Sequence, residues 1–131
     1  MEKSRIMKKI MLLIMFAMLL LLPIRTDARA QSDEKLISMG NFTLTYYCSC
    51  EECSGQWGTQ TATGNHCEQG RTVAVDPDVI AYGTRILIDD NVYVAEDCGS
   101  LVKGDHIDIY VEDHELVEKL GKKEKKVWLI K

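Results

Sequence analysis

From Lys35 onward the chain is cut into short runs of β-branched and aromatic residues: Lys35–Met39, Phe42–Tyr47, Thr72–Val75, Arg85–Ile88, Val92–Ala95, Ile107–Tyr110 and Val127–Ile130. Gly, Asn, Asp or Pro separates these runs, so each reads as a strand. Asp89-Asp90-Asn91 is a tight turn, which makes residues 85–95 a hairpin. Asp76-Pro77-Asp78 and Tyr82-Gly83-Thr84 supply further bends. One segment reads as a helix: Asp113 caps it, Leu116, Val117 and Leu120 share a face, and Gly121 ends it. The run Lys122-Lys123-Glu124-Lys125-Lys126 reads as a solvated turn. Many short strands with one short helix predict a mainly β domain, closed or nearly closed as a barrel.

The N-terminus is a different kind of sequence. Lys3, Arg5, Lys8 and Lys9 are followed by an apolar run of 13 residues, Ile10 to Leu22, and by Pro23 and Ala28-Arg29-Ala30. A basic start, a short apolar stretch and an A-x-A site predict a signal peptide over residues 1–30. A membrane span wants about 20 apolar residues, so an uncleaved anchor is the alternative reading. The expected location is secreted or cell-envelope associated. Residues 31–41 are expected to form a leader before the domain at 42–131, with Gln31–Lys35 its flexible polar start.

Residues 1–30 hold six Lys/Arg and two Asp/Glu, leaving 16 − 6 = 10 basic and 20 − 2 = 18 acidic residues, a formal net of −8. Nucleic-acid binding needs a basic surface and is disfavoured on this ground; no nucleic-acid partner is expected. A wall polymer would be held through its sugars and peptides rather than by bulk charge. No stable protein partner is expected.

Three aspartates stand in strand-like surroundings: Asp76 before Pro77, Asp97 in Ala95-Glu96-Asp97-Cys98-Gly99, and Asp108 in Ile107-Asp108-Ile109-Tyr110. Asp is depleted in strands and seldom buried without a partner. Three such placements point to a converged acidic site.

Thr61-Ala62-Thr63-Gly64, Gly70-Arg71-Thr72-Val73-Ala74-Val75-Asp76-Pro77-Asp78-Val79-Ile80, Tyr82-Gly83-Thr84, Ala95-Glu96-Asp97-Cys98-Gly99, Lys103-Gly104 and Ile107-Asp108-Ile109-Tyr110 follow in order. In that order and spacing they resemble the 3D (three-aspartate) domain. That domain is the catalytic part of membrane-bound lytic transglycosylase A and of small secreted cell-wall proteins of spore-forming Gram-positive bacteria. The resemblance runs from about Phe42 to the C-terminus. It implies a six-stranded double-psi β-barrel, peptidoglycan glycan strands as substrate, and cleavage of the MurNAc-β-1,4-GlcNAc bond to leave 1,6-anhydro-muramyl ends. It also implies that Asp108 is the catalytic aspartate. The sequence departs from the family at Ala81, where Pro is usual, and at Cys98, Ser100 and Leu101. A bulky Leu101 would narrow a sugar groove.

Glycoside cleavage needs a proton for the leaving oxygen and stabilisation of an oxocarbenium-like centre. Attack by the muramyl 6-hydroxyl is intramolecular, and tethering replaces much of a second carboxylate's work. One carboxyl can then act as acid and as base. Apolar flanks and a nearby like charge would push the pKa of Asp108 upward for that task. Asp97, before a Gly-containing turn, is expected to stay ionised beside it. Asp76 is extended by Pro77 and reads either as a turn cap or as a site residue. Thr63, Gly64 and Gly99 are expected to line the site, and Tyr46, Trp57 or Tyr110 to stack on sugars or fill the core. Lys103 reads as a contact to a stem-peptide carboxylate or as a turn residue. His66, His106 and His114 read as surface or loop histidines.

Cys48, Cys50, Cys53, Cys67 and Cys98 are all beyond the export segment. In an exported protein disulfides are the default, and an odd count leaves one thiol over. The rival is a structural zinc or iron site built from Cys48, Cys50, Cys53 and Cys67 or Cys98. A third reading is a thiol redox centre at Cys98 beside Asp97. The glycosidic chemistry itself needs no metal and no cofactor. Three function classes therefore stand: a lytic transglycosylase, a wall-polysaccharide-binding module without catalysis, and an exported Cys-cluster metal or redox protein.

Overall fold

The computed structural model describes residues 2–19 and 34–131. The chain divides into two compact units, Met1–Ser32 and Asp33–Lys131. In the first, helix α1 spans Glu2–Leu19, and the apolar side chains from Ile10 to Met15 are exposed. No helix of the described residues is long and apolar enough to cross a membrane. The expected cleavage site at Ala28-Arg29-Ala30 and the start of the leader lie outside the described residues.

The second unit is mainly β. Its strands are β1 (Leu36–Tyr47), β2 (Thr72–Ala74), β3 (Arg85–Ile88), β4 (Asn91–Asp97), β5 (His106–Tyr110) and β6 (Lys123–Ile130). They close in a ring in the order β1-β5-β2-β4-β3-β6, the sixth strand pairing with the first. Closure leaves no unpaired edge, which removes the usual hazard of a small sheet. The pairs β1/β5 and β2/β4 are parallel, and the rest antiparallel.

Strand alternation sends one set of side chains inward. Phe42, Leu44, Val73, Ile86, Ile107 and Val127 are buried there, each at 2% exposure or less. Burying such a side chain contributes about 1.5–3 kcal/mol, and these residues come from five of the six strands. The domain's outline is therefore fixed by the apolar alternation alone.

Several expectations need correcting. Lys35–Met39 and Phe42–Tyr47 are one 12-residue strand, with a bulge between Ser38 and Gly40 that absorbs the Gly-Asn break. Gly40 takes φ 92° there, a value that favours glycine. Residues 36–41, expected as leader, are thus the first half of β1, paired with β6. The lysine run is not a turn: β6 begins at Lys123, opposite Leu44. Lys125 shares the face of Phe42 and Val127 and meets Asp89 at 3.0 Å, while Lys126, on the opposite face, lies 4.7 Å above the Trp128 ring.

The expected helix is present as α3 (His114–Leu120), with Asp113 accepting the Glu115 N–H at 3.0 Å. It is not the domain's single helix. A four-residue helix α2 (Glu51–Ser54) and a 3₁₀ turn (Gly55–Trp57) come after β1. The hairpin at 85–95 is observed, but its turn is Asp89-Asp90 alone: Asn91 already belongs to β4 and pairs with Ile88, and Asp89 takes φ 52°.

Candidate active site

Four neighbouring strands bring one row of residues together. Ala74 of β2 is paired with Asp97 of β4 on one side and with Asp108 of β5 on the other. Asp108 is in turn paired with Thr45 of β1. Strands in a sheet lie about 4.8 Å apart, so the backbones of Asp97 and Asp108 are about 10 Å apart with one alanine between them. A larger residue at Ala74 would fill the space into which both carboxyls reach. The pairing at Asp97 depends on a bulge, because Val73 faces Ala95 while Ala74 faces Asp97. Glu96 is the extra residue, and the bulge re-aims the strand end that carries Asp97.

Ala74, Asp97 and Asp108 of this row form one wall of a groove of about 730 Å³ that also takes in Tyr47, Trp57, Gly64 and Gly99. Asp108 is half-buried within it. Burial pushes its carboxyl above the usual carboxylate range; the Thr45 hydroxyl and His106 oppose that shift, and Asp97 reinforces it. Thr45 Oγ1 is 2.9 Å from Asp108 Oδ1 and 2.8 Å from His106 Nε2. Through that hydroxyl one proton can rest on Asp108 or be passed toward the imidazole, an arrangement suited to acid–base work.

Asp97 is held differently. Its Oδ1 accepts the backbone N–H groups of Ala62 at 3.0 Å and Cys98 at 2.9 Å, and its Oδ2 accepts the Tyr47 hydroxyl at 2.8 Å. Three donors fix the carboxylate at the groove without blocking its face. The Ala62 donor comes from a tight turn, in which Gly64 (φ 86°) donates to the Thr61 carbonyl at 3.0 Å.

Asp76 does not line the groove. Its Oδ2 accepts the Gly104 N–H at 2.9 Å and its Oδ1 the Asp78 N–H at 3.1 Å. These bonds, with the charge of Lys103, hold its carboxyl below the usual range. It ties the turn after β2 to the loop before β5, and so carries the register on which Ala74 and Asp108 meet.

Of the other expected site residues, Gly64 and Gly99 line the groove and Thr63 does not; its neighbours Thr61 and Ala62 do. A Cβ on Gly99 would stand 3.0 Å from Val102 Cγ2, a tight contact that Val102 would have to yield to. Tyr46 packs against the core, since Phe42, Leu44 and Tyr46 share one face of β1. Tyr47, on the opposite face, is the residue at the groove. Tyr110 is buried edge-on to Tyr47, with centroids 5.5 Å apart. Trp57 is 65% exposed on the groove and is the aromatic placed for stacking. Lys103 is exposed beside Asp76, off the groove. Leu101 is 86% exposed and lies off the groove, although its neighbours Ser100 and Val102 line it.

Thr45, Tyr47, Ala74, His106 and Glu96 were not singled out from the sequence as site residues. For Thr45 and Tyr47 the signal was available in the alternation of β1, where Thr43, Thr45 and Tyr47 oppose the buried Phe42 and Leu44. Glu96 is 3% exposed, and its carboxylate takes an Arg71 nitrogen at 2.6 Å and the Thr72 hydroxyl at 3.0 Å. It locks the bulge that positions Asp97.

The expected disulfides are absent: all five cysteines are free thiols. Cys67 lies 3.6 Å from the Tyr47 hydroxyl, away from the other three of the expected metal set, and Cys98 is exposed.

Over residues 71–131 the chain matches the 3D domain family. The resemblance read from the sequence holds there. A curated relative, the putative cell wall shaping protein YabE of Bacillus subtilis (strain 168), is 31% identical over 89 residues, 67% of this chain and 22% of that protein. The chain thus spans about a fifth of that relative's length. Among solved structures, the lytic transglycosylase MltA of Escherichia coli is 27% identical, with a TM-score of 0.49 over 55% of this chain and 27% of that one. The lytic transglycosylase LtgG of Burkholderia pseudomallei is 23% identical, with a TM-score of 0.45 over 53% of this chain and 25% of that one.

Proposed function

We propose that this chain is an exported lytic transglycosylase acting on the glycan strands of peptidoglycan, with Asp108 as its single acid–base group. The observation that carries this reading is the setting of Asp108: a carboxyl raised by burial, in a groove, linked by Thr45 to His106 and facing Asp97 across an alanine. The 3D domain match and the cell-wall relative support the same substrate class. The basic start and apolar run at the N-terminus support export. The two parallel pairs, β1/β5 and β2/β4, support reading the closed ring as a double-psi β-barrel.

In this mechanism Asp108 donates its proton to the oxygen linking MurNAc C1 to GlcNAc. The C1–O bond breaks, and GlcNAc leaves with that proton as its 4-hydroxyl. Asp97, as carboxylate, faces the positive charge developing at the anomeric centre. The muramyl 6-hydroxyl attacks C1 and gives up its proton to Asp108, which restores the acid. No water is consumed. The tethered nucleophile brings the gain of an intramolecular reaction, so one acid–base carboxyl suffices. Trp57 supplies a face on which a sugar ring can stack.

The test is mass spectrometry of soluble products after the full chain is incubated with purified peptidoglycan. Fragments ending in 1,6-anhydro-muramic acid are expected. Reducing muramyl ends would replace this mechanism with hydrolysis. No product, with the protein retained on the sacculi, would replace it with wall binding.

A further inference from the structure

From Ser49 to Gln60 no residue is buried, so apolar packing does not order this segment. Neither α2 nor the 3₁₀ turn after it contains a buried residue. Helical pieces of four and three residues do not form unaided, and fixing each backbone residue costs about 1–2 kcal/mol. Something other than apolar burial must hold this segment.

Four side chains converge there. Cys48 follows β1, Cys50 caps α2, Cys53 lies within α2, and His114 opens α3. Their ligand atoms all lie within 4.8 Å of one another. The sulfurs of Cys48, Cys50 and Cys53 stand 3.5, 3.4 and 3.5 Å from one atom, His114 Nδ1. With Zn–S near 2.3 Å and Zn–N near 2.05 Å, tetrahedral geometry requires an S···N separation of about 3.6 Å. The three S···N separations are thus those of a zinc-sized tetrahedron, and the Cys48–Cys50 sulfur pair at 3.2 Å would open by about 0.5 Å to reach the ideal edge. The Cys48 and Cys50 sulfurs are 3.2 Å apart, too far for the roughly 2.05 Å bond of a disulfide.

The outer nitrogen of the same imidazole faces carboxylates, Glu52 Oε2 at 3.7 Å and Glu118 Oε1 at 4.0 Å. Metal-bound histidines commonly carry such a partner on the free nitrogen, which keeps the other nitrogen's lone pair turned to the metal.

We propose that Cys48, Cys50, Cys53 and His114 bind a structural divalent zinc ion. The ion joins the end of β1, α2 and the start of α3, and stands in for the core this segment lacks. Four protein ligands close the coordination shell, so the site has no open position for a substrate or water. Cys53 also lines the groove, along with Trp57 of the same segment, so the metal fixes one wall of the cleft. Sequence reasoning expected Cys67 or Cys98 as the fourth ligand; the fold supplies His114 instead.

The test is elemental analysis of the full chain purified with reductant and without chelator, followed by replacement with Co²⁺. One zinc per chain is expected, and the cobalt form should show thiolate charge transfer with the intense visible bands of a tetrahedral site. Cys67→Ala and Cys98→Ala should keep the stoichiometry, and His114→Ala should lower the affinity at least tenfold. His114→Cys should retain the metal with a shifted cobalt spectrum, which separates ligation from a folding defect. Reduced thiols without bound zinc, an octahedral cobalt spectrum, or a disulfide among Cys48, Cys50 and Cys53 in reduced, zinc-supplied protein would overturn the proposal.

Discussion

Asp76, just after β2, and Asp108, within β5, belong to adjacent strands of the ring and are held in opposite ways. Both come after a run of apolar residues. Asp76 turns back on the chain and takes two backbone N–H groups, which holds its carboxyl low. Asp108 continues its strand and has the Thr45 hydroxyl as its hydrogen-bond partner, so burial wins and its carboxyl rises. Apolar flanks therefore do not decide what an acid does. The backbone N–H groups within its reach do: a turn supplies them, whereas a strand has already committed them to its ladder.

The contrast is tested most strongly in the chemistry. Asp108→Asn should lower the rate of anhydro-muropeptide release by about 10³–10⁴-fold, the scale of a lost acid–base group. The same substitution should raise thermal stability at pH 7. The sign comes from the raised pKa: the folded state binds the proton more tightly than the unfolded state, so ionised Asp108 costs stability as pH rises. Melting curves of the two proteins should converge near pH 3, where both carry a neutral side chain. An Asn variant that melts lower than the parent at pH 7 would contradict the burial argument.

Asp97→Asn should have the next largest effect on rate, about 10²-fold, because it removes charge but keeps the groove. A loss as large as that of Asp108→Asn would make Asp97 a second working carboxyl and move the mechanism toward hydrolysis. Product analysis of the variant distinguishes the two.

Asp76→Ala should act on stability instead. It removes the acceptor that ties the Gly104 and Asp78 N–H groups together, so the folded state should lose stability modestly. Urea unfolding should show that loss, while the rate per folded molecule stays within a few-fold of the parent. A rate falling by 10²-fold with unchanged stability would place Asp76 in the chemistry and erase the contrast with Asp108.

How much of this was legible depends on the range of the interaction. The alternation Phe42, Leu44 against Thr43, Thr45 is local, so the β class, the hairpin at 85–95 and the cap at Asp113 could be read directly. It also contained the correct choice between Tyr46 and Tyr47, because Tyr46 continues the buried face. The Ala74 row was not readable, since it depends on which strands become neighbours and on a bulge at Glu96. The lysine run misled because charge suggests a turn, whereas residues 123–126 pair through their backbone with Asn41–Leu44 of β1. His114 gave no sign of joining the cysteines, being 61 residues from Cys53 in the chain.

The smallest expected effect bears most directly on how the two aspartates differ. Thr45 is the group that stands in for the N–H donors Asp108 lacks. Its hydroxyl favours the ionised form, so Thr45→Val should raise the Asp108 pKa further. A general acid with a higher pKa keeps its proton longer, so the alkaline limb of the pH–rate profile should move up. The rate at the optimum should fall only several-fold, because the carboxyl keeps its place in the β5 ladder. Replacement by Ser restores the hydroxyl and should return the limb toward its original position. An alkaline limb that moves down in Thr45→Val would mean that the hydroxyl stabilises the protonated acid, with its hydrogen bond running from Asp108 toward His106.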